Sequence, residues 1–92
     1  MSSPQSYQLI GWINSSQEEK VYIGKYAGSY FFRLSCSLEN KEGIENIFVF
    51  VNLIEQETIW QTIKKGGWPG KKYLFFCVRR RNQFALTNWQ EL

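Results

Sequence analysis

From Tyr30 the chain alternates strictly, with Tyr30, Phe32, Leu34, Cys36 and Leu38 on one side and Phe31, Arg33, Ser35, Ser37 and Glu39 on the other. A period of two turns one set toward a core and the other toward water, so the segment predicts a strand. Tyr7, Leu9, Gly11 and Ile13 alternate with Gln8, Ile10 and Trp12 in the same way, which predicts an earlier strand with a bend or bulge near Gly11. Between the two, Asn14 to Lys20 is polar and turn-forming, Val21 to Gly24 reads as a short extended piece, and Ala27-Gly28-Ser29 reads as a turn.

A turn at Asn40 to Gly43 leads into Ile47, Val49, Val51 and Leu53, which alternate with Phe48, Phe50 and Asn52. This third strand is apolar on both sides, so its phenylalanines are either covered or displayed as platforms. Phe48 is assigned to a buried face, because aromatic rings dominate cores and interfaces. From Glu55 to Lys65 the period lengthens. Ile59, Trp60 and Ile63 share a helical face, the acids stand near the start, the lysines stand at the end, and Gly66 or Gly67 follows as the stop. So short a helix needs packing to persist, and Trp60 is read as part of the core it packs on. Lys71 to Arg81 returns to alternation, with Tyr73, Phe75, Cys77 and Arg79 opposite Leu74, Phe76, Val78 and Arg80. A turn around Asn82 and Gln83 then gives Phe84, Leu86 and Asn88 opposite Ala85, Thr87 and Trp89. The expected class is all-β: a five-stranded Greek-key barrel of the OB-fold type, with one short helix between the third and fourth strands. Residues 1–6 are expected to be a flexible tail and residues 7–92 a single domain, in keeping with the 92-residue length.

Charge changes the picture. The net charge of +3 conceals a segregation: through Glu57 there are four Lys or Arg against seven Glu, and beyond it seven against Glu91 alone. The basic part carries Arg79-Arg80-Arg81 and a Lys64-Lys65 … Lys71-Lys72 pair of doublets around Trp68, interleaved with further aromatic residues. Guanidinium forks suit phosphate and π-faces suit bases, a mixture that fits single-stranded nucleic acid. The plainer alternatives are a solubilising hairpin tip for the arginines, a lid over the barrel end for Trp68, and dipole compensation for the lysines at the helix end.

Other chemistries have little to work with. The chain contains neither His nor Asp and no C-x-x-C, so neither a metal centre nor a general acid–base pair is expected. Gly66-Gly67-Trp68-Pro69-Gly70 lacks the spacing of a nucleotide-binding loop, so no cofactor is expected either. Cys36 and Cys77 lie in apolar alternating runs and read as small buried hydrophobes. No apolar window is long enough to predict a membrane span, and the first residues lack the pattern of a signal peptide. The expectation is a non-enzyme.

Phe50-Val51-Asn52-Leu53-Ile54-Glu55, followed by a helix and Lys64-Lys65-Gly66, resembles the Phe-Gly-Lys-Leu-Ala-Glu and later Lys-Gly of the bacterial single-stranded-DNA-binding proteins and their relative, primosomal replication protein N. Leu9-Ile10-Gly11 and Phe32-Arg33-Leu34 are similar to that family's Leu-Ile-Gly and Phe-Ser-Leu. The resemblance runs from Tyr7 to Trp89. It implies a single-strand binder, most of all of ssDNA though RNA is not set apart, that self-associates through its first strand as a homodimer or homotetramer. Replication proteins would be its companions, in the cytoplasm or, since similar small proteins occur in cyanobacteria and plastids, in a plastid stroma. Phe50 matches the family's stacking phenylalanine, but Asn40, Ile44 and Gln83 fall where the family has tryptophans, and its acidic tail has no counterpart. Trp12, Trp68 and Trp89 stand as replacements without being positional equivalents. The candidate binding set is therefore Arg33, Phe50, Trp68, Lys71, Lys72, Arg79, Arg80 and Arg81. The alternative is an OB-fold interaction or assembly subunit that has lost most of its base-stacking residues.

Overall fold

A computed structural model describes residues 6–92. Of the expected tail, residues 1–5 lie outside the described part, while Ser6 opens the first strand. The elements are β1 (Ser6–Lys20), β2 (Tyr30–Asn40), β3 (Gly43–Asn52), α1 (Glu57–Lys64), β4 (Lys72–Arg80) and β5 (Gln83–Glu91). The strands close in the order β1-β2-β3-β5-β4, with β4 returning to β1. All pairings are antiparallel except β3 with β5, where Val49 faces Phe84 and Phe50 faces Ala85. Five strands closed in this order, with one helix between the third and fourth, form an OB-fold barrel.

The inward residues of the alternating strands fill the interior. Leu34, Cys36, Val49, Val51 and Phe75 are fully buried, and Phe32, Tyr73, Cys77 and Leu86 nearly so. Helix α1 plugs the barrel with Ile59, Trp60 and Ile63, and Trp60 lies against Phe32 with ring centroids 4.8 Å apart. Gly66, in the left-handed region at φ 77°, ends the helix as the pattern predicted, donating its N–H to Ile63 O.

Five readings of the pattern are corrected. Asn14 to Lys20 is not a turn but the second half of β1, paired with β2 from Ser15 to Lys20. The bulge lies at Asn14 rather than Gly11. Gly11 instead sits where β2 crosses closely: a Cβ there would come within 2.0 Å of Ser37 O. Phe48 is not buried but 54% exposed, because β5 covers β3 only beside Val49 and Phe50. In β5, the register with β4 slips between Phe76 and Cys77, leaving Thr87 as the extra residue. That slip flips the alternation. Trp89 therefore turns inward and stacks on Tyr73, 4.5 Å between centroids and 5° between planes. The last hairpin turns at Arg81-Asn82, one residue earlier than expected, and both residues have positive φ (50° and 66°).

Candidate nucleic-acid interface

The outward residues of β2 and β3 form one surface by register. Phe31 pairs with Asn52, Arg33 with Phe50, and Ser35 with Phe48. Because all six point away from the core, three phenylalanines and an arginine share one face of a curved sheet. Phe31 and Phe50 meet with centroids 5.9 Å apart at 43°, forming a V rather than a stack. Arg33 lies over Phe48 at 5.2 Å, donates to Gln17 Oε1 and approaches Glu19 at 3.6 Å. Its guanidinium is thus already engaged by a ring, an amide and a carboxylate.

Beside Phe50 the parallel partner is Ala85, whose small side chain leaves space, and Thr87 is drawn aside by donating its hydroxyl to Phe76 O at 3.0 Å. The result is a cleft of about 230 Å³ lined by Phe31, Phe50, Asn52, Arg80, Gln83 and Ala85, among others. At its edge Arg80 Nη1 donates to both oxygens of Glu55, each at 3.1 Å. Asn52 Oδ1 accepts from the backbone N–H of Ile54 at 2.8 Å and of Glu55 at 3.3 Å, which folds the chain from β3 toward α1.

The expected site residues divide. Phe50, Arg33 and Arg80 come together on this face, and exposed Arg81 stands next to Arg80 in the hairpin turn. Arg79 does not join them. Alternation sends it to the other side of β4, over the ring of Phe84 at 5.6 Å. Trp68 is not displayed: it is half-buried against the core, and its indole N–H is satisfied by Ile63 O at 3.2 Å. Lys71 immediately precedes β4 and pairs with Glu91 at 3.3 Å. Lys72 faces outward but lies eight residues before Arg80, about 26 Å along an extended strand. The lysines and arginines are therefore not one cluster. Lys72 lies over Trp12 at 5.4 Å and bonds Glu39 at 2.8 Å, and Trp12 pairs in turn with Ser37 of β2. Lys72 and Trp12 thus occupy the far margin of the face that carries Phe48.

The periodicity did not single out Phe31, which it assigned to the wet side of β2, or the β1–β2 loop. In that loop Tyr22 and Ile23 are about 80% exposed and Lys25 lies over Tyr26 at 5.0 Å. A visible signal existed: two tyrosines and Lys25 around Gly24 and Gly28, in the connection that leads into β2 beside Phe31.

Burial pushes both thiols up to about 12, and Cys36 is raised further by the neighbouring Cys77, so neither is a nucleophile near neutrality. Among the described residues no acid or thiol cluster could hold a metal ion, and no helix is long and apolar enough to cross a membrane. Compared with family models, curated proteins and solved structures, the chain matches none.

Proposed function

We propose that the protein is a non-catalytic module that binds single-stranded nucleic acid, foremost DNA, across the outward face of β2 and β3. The observation that carries this is the convergence of Phe31, Phe48 and Phe50 with Arg33 and the Arg80–Arg81 turn on one open surface. A strand lying there would pass from the hairpin over Phe50 and Phe48 toward Trp12 and Lys72, stacking bases on rings while phosphates meet the guanidinia. Trp68, Lys71 and Arg79 are outside that path. The β2–β3 face and the β1–β2 and β4–β5 loops are also where OB-folds in general receive oligonucleotides.

The proposal extends to self-association. Residues 6–10 of β1 pair with β4 but have no partner in β2, and Ile10, Leu74, Phe76 and Val78 make the outside of this side apolar. Light scattering behind size-exclusion chromatography gives the mass directly.

The test is titration of a labelled oligothymidine at two ionic strengths, with a duplex control. Affinity should fall with salt at a log–log slope of about −0.7 per contacted phosphate, and the duplex should bind more weakly. Absent binding at low salt, or equal binding of duplex, overturns the reading. One observation favours a protein ligand instead: Arg33, Lys72 and Arg80 are all paired with carboxylates while Phe48 lies open. On that reading Phe50→Ala alters captured partners or oligomer size and leaves oligonucleotide binding unaffected.

A further inference from the structure

Stacking surfaces are indifferent to base identity, whereas the cleft beside Phe50 is not built indifferently. Its roughly 230 Å³ is below the roughly 300–1,000 Å³ typical of sites for drug-sized ligands, so it suits a single planar ring system. Phe31 and Phe50 supply its apolar walls. Its polar lining is biased by the hydrogen bonds already made. Asn52 Oδ1 is taken by two backbone N–H groups, which fixes the amide so that its Nδ2 is the group left to face a ligand. Arg80 spends only Nη1 on Glu55, leaving Nη2 and Nε as donors. Gln56, the residue before α1, makes no side-chain cap bond, so its amide is also uncommitted.

We propose that this cleft is a base-reading subsite that accepts a base with a carbonyl at pyrimidine C4 or purine C6, namely thymine, uracil or guanine, and discriminates against adenine. The inference rests on the single-strand reading above. Fixed donors from Asn52 and Arg80 match the O4 of thymine or the O6 and N7 of guanine. Adenine offers no carbonyl and places an amino donor at the corresponding edge, leaving donor against donor. Elsewhere on the face, contacts to Phe48 and Arg33 remain tolerant of sequence.

The experiment uses abasic DNA strands of equal length carrying one central dT, dG or dA, titrated against the full chain. This format removes the intrinsic stacking and flexibility differences of homopolymers. The expected result is that dT and dG bind at least about fivefold tighter than dA, the discrimination of one good bidentate contact. Asn52→Asp keeps the acceptor that holds the β3–α1 turn but replaces the donor, and Arg80→Lys keeps the charge but removes the fork. Each should collapse the dT-to-dA ratio toward one, whatever happens to overall affinity. Equal binding of the three strands, or a ratio that survives both substitutions, overturns the subsite while leaving general single-strand binding intact. If neither the abasic strands nor oligothymidine bind, both proposals fall together.

Discussion

Glu55→Gln should make the protein bind single strands more tightly. Arg80 is the arginine nearest the cleft, and one of its nitrogens is shared between both oxygens of Glu55 at 3.1 Å, so a phosphate must compete with an internal carboxylate. Glutamine can still accept from Arg80 but removes the negative charge, freeing the guanidinium for a phosphate. One added phosphate contact steepens the log–log salt slope by about 0.7. If that contribution vanishes near 1 M salt, affinity rises about eightfold at 50 mM and about threefold at 200 mM. The cost in stability is small, because the side chains are 52% and 31% exposed and such pairs contribute roughly 0.2–1 kcal/mol. Fluorescence anisotropy with oligothymidine over a salt series, alongside a thermal melt to verify folding, reads both quantities. An unchanged slope and affinity in a folded variant would refute the reasoning, because Arg80 would then contact no phosphate.

Phe50→Ala and Phe48→Ala should each weaken oligothymidine binding by about 1–3 kcal/mol, the value of one stacked base, in the same anisotropy assay. Arg81→Gly should separate stability from binding. Glycine relieves a left-handed residue at φ 50°, a strain of roughly 1–2 kcal/mol, so the melting temperature rises while oligonucleotide affinity falls. Gly11→Ala places a Cβ 2.0 Å from Ser37 O and 2.9 Å from Leu38 Cα, backbone atoms that no rotamer change can clear. Overpacking of this kind costs about 1–3 kcal/mol or more. Its melting temperature should drop by at least about 4 °C, followed by circular dichroism. Cys36 and Cys77, whose folded pKa of about 12 lies above the ordinary 9.0, should resist iodoacetamide at pH 8 until denaturant is added. Because raised acid pKa values favour the folded form only while the groups stay protonated, thermal stability should decline as pH climbs from 9 toward 12.

Where one face of a strand is continuously buried, the pattern was legible. β2 buries Phe32, Leu34, Cys36 and Leu38 at every second position, and α1 buries Ile59, Trp60 and Ile63 as its period requires. The second half of β1 escaped because its inward positions, Ser16 and Glu18, lie toward an end of the barrel rather than under its core. Glu18 there bonds Lys64 of α1 at 3.2 Å, so a polar residue is satisfied where an apolar one would be expected. Simple alternation puts Trp89 on the wrong side because one extra residue, Thr87, inverts everything after it, and no local residue type marks that slip. The pattern misplaces Phe48 for a different reason: a strand apolar on both faces looks the same whether or not something covers it, and coverage is a property of β5, not of β3. Of the candidate site, the ring and the guanidinia that converge were found. That the basic doublets stand apart from them follows from the rise of β4, which a charge count does not register.

The segregation of charge along the chain also means something different once the barrel closes. Three of the five ion pairs among the described residues, Lys64 with Glu18, Lys72 with Glu39 and Arg80 with Glu55, join a base from the last third to an acid from the first part. Folding therefore spends the apparent dipole on internal pairing instead of presenting it as a positive lobe. Steering of a distant polyanion by such a surface is weak, since the fields of exposed charges are largely screened beyond about 10 Å. Recognition on the β2–β3 face then has to begin with the open ring of Phe48 and proceed by exchange, phosphates displacing carboxylates from cations such as Arg33 and Lys72. Exchange of that kind gives less net counterion release than fresh neutralisation, because the displaced carboxylate must be neutralised again, so the rings carry a larger share of the affinity than the abundance of lysine and arginine suggests.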